Sequence, residues 1–139
     1  MLLSSLLLVP FLGTLALLVW PGSPSPQRLR LISIAILTLQ LLLSLVALAG
    51  FDIHQSGMQL VELHSWLPGI GLDYSLGIDG LSLWFVPLTA FITIIVVISA
   101  WEVITERVAQ YMGSFLLLSG LMNGVFCALD GLLFYVFFE

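Results

Sequence analysis

A chain of 139 residues that is 60% hydrophobic and 8% charged, with a mean hydropathy of +1.19, is too apolar for a water-soluble domain and reads as an integral membrane protein. Eight acidic residues against three arginines and no lysine give a formal charge of −5, which argues against nucleic acid or anionic lipid surfaces as partners. The single cysteine, Cys127, excludes an internal disulfide and, in an apolar run, reads as packing rather than redox or metal chemistry.

The first apolar run, Leu2 to Trp20, has no basic residue ahead of it and no small-residue cleavage site, so it reads as an anchor and not a signal peptide. Pro10 deprives the Leu6 carbonyl of its usual amide and predicts a bend that neighbouring helices absorb. The stretch Pro21-Gly22-Ser23-Pro24-Ser25-Pro26 ends this helix, and a loop with Arg28 and Arg30 leads into a second span from Leu29 to about Gly50.

Residues 51 to 79 are the longest polar-leaning segment, with Asp52, His54, Glu62, His64, Asp73 and Asp79 but no basic residue. Gln59 to Trp66 alternates polar and apolar side chains, Pro68-Gly69-Ile70-Gly71 offers turn chemistry, and Leu72 to Ile78 gives a second short β-like run. A surface β-hairpin is the predicted outcome. Asp52, His54 and His64 lack any recognised metal-ligand spacing and read as solvated loop residues, and Glu62 is expected to matter little.

Asp79-Gly80 signals the start of the third helix, with Ser82 also available to the first-turn amides. That run extends from Leu81 to Trp101 and is interrupted by Pro87. Glu102, Glu106 and Arg107 occupy a short loop before a fourth run from about Tyr111 to Leu129. All three arginines thus fall in alternate loops, which places the loops near 21 to 28 and 102 to 110 in the cytoplasm and the amino terminus outside.

In the fourth helix Gly120, Gly124 and Ala128 recur every four residues, a small-residue stripe that lets another helix approach closely. Asn123 lies beside the stripe and reads as an interhelical hydrogen-bonding clip in preference to a member of a water-lined path. Asp130 reads as an interface residue separating helices four and five.

The closing run, Leu132 to Phe138, has too few apolar residues for the ~20 that span a bilayer, so it predicts the start of a fifth helix continued beyond the sequence. Counting ~1.5 Å per residue inward from Asp130-Gly131 places Glu139 roughly 12 Å deep, near mid-membrane. Acids at such depth generally face a bundle interior and mark an ion or proton path. A buried carboxyl prefers its neutral form and a nearby cation restores the ionised one, so moving the cation drives proton uptake and release. None of the three arginines lies within a span to serve Glu139. The predicted fold class is therefore an all-α polytopic membrane protein, one membrane domain over residues 1–139. It has four transmembrane helices (about 2–20, 29–50, 81–101 and 111–129), the start of a fifth at 132–139, and a short non-cytoplasmic β-hairpin between helices two and three.

Two segments carry a resemblance: Gly77-Ile78-Asp79-Gly80-Leu81-Ser82, and Ala128-Leu129-Asp130-Gly131-Leu132-Leu133-Phe134-Tyr135-Val136-Phe137-Phe138-Glu139. With the order of elements, they resemble the antiporter-like membrane subunits of respiratory complex I over essentially the whole chain. The aromatic pair before Glu139 suits the chain M branch, related to mitochondrial subunit 4, better than chains L and N. The resemblance implies a fourteen-helix subunit with inverted repeats of helices four to eight and nine to thirteen. Glu139 then matches the helix-five glutamate that pairs with a lysine on helix seven, in a proton-translocating part of an NADH:quinone oxidoreductase of the cell inner membrane. It also implies the neighbouring antiporter-like subunits as partners, FMN and iron-sulfur clusters on other subunits, and no cofactor on this chain. A subunit of a multi-subunit sodium/proton antiporter or membrane-bound hydrogenase would share the fold and glutamate, and a four-helix membrane scaffold would need no mid-membrane acid.

Overall fold

The computed structural model describes residues 1–139 apart from positions 21, 23, 68, 70 and 71 and the side chains of residues 66, 67 and 72. In chain order the elements are α1 (Leu2–Val19), α2 (Pro26–Ala49), β1 (Gln59–Leu67), β2 (Leu72–Ile78), α3 (Ser82–Ser99), α4 (Val108–Cys127) and α5 (Gly131–Phe138). The fold is mainly helical with one two-stranded antiparallel sheet. Among the described residues α1, α2 and α3 are long and apolar enough to cross a membrane. At 20 residues α4 has the length, but Gln110, Ser114, Ser119, Asn123 and three glycines keep it out of that set. Outward-facing leucines and isoleucines such as Leu12, Leu42, Ile92 and Ile95 are left for lipid.

Two helices begin earlier than sequence periodicity suggests. α2 starts at Pro26, three residues before Leu29, because proline at the first helical position sacrifices no hydrogen bond. The Ser25 carbonyl accepts the Arg28 and Leu29 amides at 2.9 and 3.3 Å. α4 starts at Val108, after Arg107 adopts a left-handed conformation (φ 50°, ψ 39°) and offers its carbonyl to Tyr111 at 3.1 Å. α4 ends at Cys127 and not Leu129, because Ala128 turns extended and bridges Leu76, while the Leu129 amide donates to the Ser75 carbonyl at 2.9 Å. The turn expected at Pro68-Gly69-Ile70-Gly71 lies largely outside the described residues, as does part of the Pro21 to Pro26 break.

Glycines set the helix spacing. A Cβ at Gly120 would lie 3.0 Å from Pro10 Cγ and 3.4 Å from the Phe11 ring, so α1 rests directly on the α4 backbone. One turn on, a Cβ at Gly124 would fall 2.6 Å from the Phe137 ring of α5. On the other side of α1, Gly13 admits Ile36 of α2, 2.7 Å from where its Cβ would be. Thr14 Oγ1 shares its proton between the Pro10 carbonyl of its own helix (2.9 Å) and the Gly113 carbonyl of α4 (3.1 Å). Such close backbone approach is how helices associate where apolar burial gives no net drive.

The hairpin is built into the bundle and does not lie loosely on it. Leu76 and Ile78 of β2 are buried against Leu3, Leu6, Leu83, Val86, Cys127 and Leu133, and a second apolar cluster (Leu17, Leu37, Val97, Met112, Leu116) fills the opposite end. Strand pairing runs Leu63 with Ser75 and His64 with Tyr74. An irregularity between Gln59 and Glu62 coincides with Leu60 at φ 52°.

That irregularity precedes Glu62, which is buried, contrary to the expectation of an unimportant loop acid. Its carboxylate accepts the Leu3 and Ser4 amides at 2.9 and 3.1 Å, the Ser4 hydroxyl and the Met1 amine, so a strand residue caps the first turn of α1. Burial alone would push this carboxyl up, but the bonds from the Met1 amine, Ser4 and Leu3 outweigh it and hold the carboxyl below its ordinary 4.5. The stabilisation is therefore complete above pH 4.5 and fades as pH falls through the depressed value.

In a full-length protein carrying this segment, Glu62→Ala should destabilise the α1–hairpin junction by about 1–3 kcal/mol, because buried donors lose a charged acceptor. Hydrogen-exchange protection at Leu3, Ser4 and residues 59–78, taken relative to the intrinsic exchange rate at each pH, reads this out: it should be lower in the variant and, in the parent, should fall only below pH 4.5. Gly124→Leu, which drives side-chain atoms into the Phe137 ring, should displace α5, whereas Gly120→Ala should act more mildly. Disulfide trapping between cysteines placed on α4 and α5 measures the difference, and equal trapping in parent and Gly124→Leu protein would refute the packing argument.

Candidate functional site

α5 begins where Asp130 caps it. The Asp130 carboxylate accepts the Leu132 and Leu133 amides at 2.9 and 3.1 Å, and its carbonyl accepts that of Phe134 at 2.9 Å. Nine residues later, Glu139 donates its backbone N–H to the Tyr135 carbonyl at 2.9 Å and lies on the lip of a groove of about 500 Å³. The groove walls are Leu118, Met122, Val125 and Phe126 of α4 with Phe137 and Phe138 of α5. Among the described residues no side chain donates a hydrogen bond or a salt bridge to Glu139. Arg30 is engaged at the opposite end of the bundle, donating to the Ile104 carbonyl at 2.8 Å with its guanidinium 5.7 Å from the centroid of the Trp101 ring.

Asp79 is likewise a cap. Its Oδ1 accepts the Ser82 and Leu81 amides at 2.7 and 3.1 Å, while its own amide donates to Ser82 Oγ at 3.0 Å, a reciprocal arrangement that opens α3. The bonds from Ser82 hold its carboxyl below the usual aspartate range. Pro87 lies inside α3 and, lacking an N–H, leaves the Leu83 carbonyl without its helical partner. Thr89 and Thr93 follow it, each donating its hydroxyl to the carbonyl four residues back, Phe85 at 2.8 Å and Thr89 at 2.7 Å.

Gly120 and Gly124 are the contact points for α1 and α5 described above, and Ala128 belongs to the bridge with β2 rather than to the helix. Asn123 does not clip two helices together. It is fully buried, yet neither its Nδ2 nor its Oδ1 has a hydrogen-bond partner among the described residues. The polar contact between α2 and α4 is one that sequence reading missed, Ser119 Oγ of α4 donating to Gln40 Oε1 of α2 at 3.0 Å. The available signal was Gln40 itself, an amide in the middle of an otherwise apolar span.

In the hairpin loop Asp52 accepts the His54 amide at 2.9 Å, and Gln59 clamps the loop by accepting from Asp52 N and donating to Asp52 O. His64 is exposed on β1 with its ring 6.2 Å from that of Tyr74. These residues order the loop and hairpin and converge on no common point.

Comparison with known proteins places the chain. No family model matches it. It is 46% identical over 118 residues to NADH-quinone oxidoreductase subunit M of Rhodobacter capsulatus, covering 85% of this chain and 22% of that protein. It is 42% identical over 137 residues to NADH-ubiquinone oxidoreductase chain 4 of Arabidopsis thaliana, covering 99% of this chain and 28% of that one. A chain of respiratory complex I from Thermus thermophilus with bound NADH superimposes on all of it with a TM-score of 0.78 and 31% identity, over 26% of that chain. The apolar helices and these relatives together make it a multi-pass membrane protein. Spanning about a quarter of the length of the curated relatives it matches, the chain belongs to the family of NADH-quinone oxidoreductase subunit M and NADH-ubiquinone oxidoreductase chain 4.

Proposed function

We propose that this chain is part of the membrane arm of a proton-translocating NADH:quinone oxidoreductase, where it contributes to proton movement coupled to electron transfer from NADH to quinone. The observation that carries the reading is the superposition of this whole chain on 26% of a complex I chain at 31% identity. It is supported by relatives at more than 40% identity that are named for that enzyme. Electron transfer belongs to other subunits that hold FMN and iron-sulfur clusters, and this chain works beside neighbouring antiporter-like subunits within the lipid bilayer.

On this reading α4 is a fourth span: its 20 residues cover ~30 Å, and Ser119 and Asn123 turn inward while Gln110 and Ser114 stay exposed. The three arginines at one end of the bundle orient that end to the cytoplasm, leaving the amino terminus and the hairpin on the non-cytoplasmic side. Glu139 then sits mid-membrane on α5 and serves as the proton-translocating carboxyl. In general a carboxyl in a low-dielectric interior holds its proton when no cation is near and releases it when one approaches, so movement of a cation can become proton movement. Asp130 and Gly131 fix where α5 starts, and Gly124 fixes how closely it lies on α4, so these residues position Glu139 without handling the proton.

In the full-length subunit within its complex, Glu139→Gln should lower proton pumping and coupled quinone reduction by on the order of tenfold, since an amide neither takes up nor releases the proton. Glu139→Asp, which keeps the carboxyl, should retain part of the activity. Vesicle acidification measured with a pH-sensitive dye alongside NADH oxidation tests both, and full pumping by the Gln variant would remove Glu139 from the path.

A further inference from the structure

Gln40 on α2 and Ser119 and Asn123 on α4 are 0%, 1% and 0% exposed. Ser119 and Asn123 are four residues apart and so share one face of α4, one turn from each other. Ser119 occupies Gln40 Oε1, and three amide atoms remain without a partner among the described residues: Gln40 Nε2, Asn123 Nδ2 and Asn123 Oδ1. Two buried amides, one on each of two helices joined through Ser119, thus carry three orphaned atoms in an apolar interior, where unpaired polar groups are costly.

We propose that Gln40, Ser119 and Asn123 form a binding site for buried water between α2 and α4. The chemistry of the orphaned atoms selects the ligand. Two are donors and one is an acceptor, so only a molecule that both accepts and donates satisfies them. A metal cation would meet Oδ1 alone and add a charge with no carboxylate among the three residues to balance it. An anion would meet the two donors, again with no counter-charge. Another helix cannot supply the partner, because the atoms are enclosed by this chain's own helices. Exchanging O and N of either amide leaves the argument unchanged, since at least one donor and one acceptor stay unmatched either way. Water in such a setting joins α2 to α4 through hydrogen bonds where neither helix offers a direct one beyond Ser119–Gln40. The inference stands apart from the role of Glu139 and from any particular enzyme activity.

The test uses the full-length subunit in its assembled complex. A single-particle map at about 2.3 Å resolution or better should show density ~2.7–3.2 Å from the Gln40 and Asn123 amides. Direct contact of the two amides with each other, or no density between them, would overturn the proposal. Gln40→Leu and Asn123→Leu keep the volume and remove the polar groups. Each alone should lower the yield of assembled complex about fivefold, by stranding the other amide and its water, and the double variant should be no worse than the poorer single. Losses that multiply to about 25-fold in the double variant would mean that the residues act independently and share no water.

Discussion

A polar group that leaves water must find its partner inside the protein, and in a chain this apolar that requirement organises everything else. The helices meet it for their own backbones, and threonine and serine hydroxyls at Thr89, Thr93, Ser33 and Ser114 meet it by turning back onto the carbonyl four residues earlier. The carboxylates meet it at helix starts. Asp79 opens α3, Asp130 opens α5, and Glu62 reaches across from a strand to the first turn of α1. Each acid also fixes a junction: hairpin to α3, α4 to α5, hairpin to α1. The hairpin is thereby fastened on three sides, with Ser75 and Leu76 closing the last through the Ala128–Leu129 link.

Within that frame the glycines decide distances. Gly120 admits Pro10 and Phe11, Gly124 admits the Phe137 ring, and Gly13 admits Ile36, so α1, α2, α4 and α5 are all set by contacts that a single methyl would disturb. Phe137 stands two residues before Glu139. The path from Gly124 to the carboxyl at the groove is therefore one ring and one helical half-turn long, and a packing change on α4 is also a change in where that acid sits. Pro10, often read as a defect, is here the atom group that fills the space above Gly120.

Much of this was legible in the sequence. Apolar runs located the helices, alternation in Gln59 to Trp66 located β1, and Asp79, Asp130 and the glycine stripe announced caps and a close contact. What escaped were features that depend on distant partners. Ser25-Pro26 reads equally as the end of one helix or the start of the next, and only the accepted amides decide it. Glu62 looks like any solvent-facing strand acid until α1 brings its first-turn amides across 59 residues of chain. Gln40 and Ser119 are 79 residues apart, and no local pattern pairs them. Asn123 lies beside the stripe as expected, but no side chain among the described residues pairs with it, since proximity to a seam says nothing about whether an amide reaches across it directly.

The acids also differ in a way that bears on what each can do. A carboxylate already surrounded by fixed donors has its ionised form stabilised whatever happens elsewhere, so it makes a good anchor and a poor switch. Glu62 and Asp79 are of that kind, and Asp130 is held in place by two backbone amides. Glu139 differs from these three: its backbone amide is held by Tyr135, but its side chain takes no donor from the described residues and borders an apolar groove. The fixed donors around Glu62 suit it to fastening α1 to the hairpin, whereas the role proposed for Glu139 calls for a carboxyl without such fixed donors.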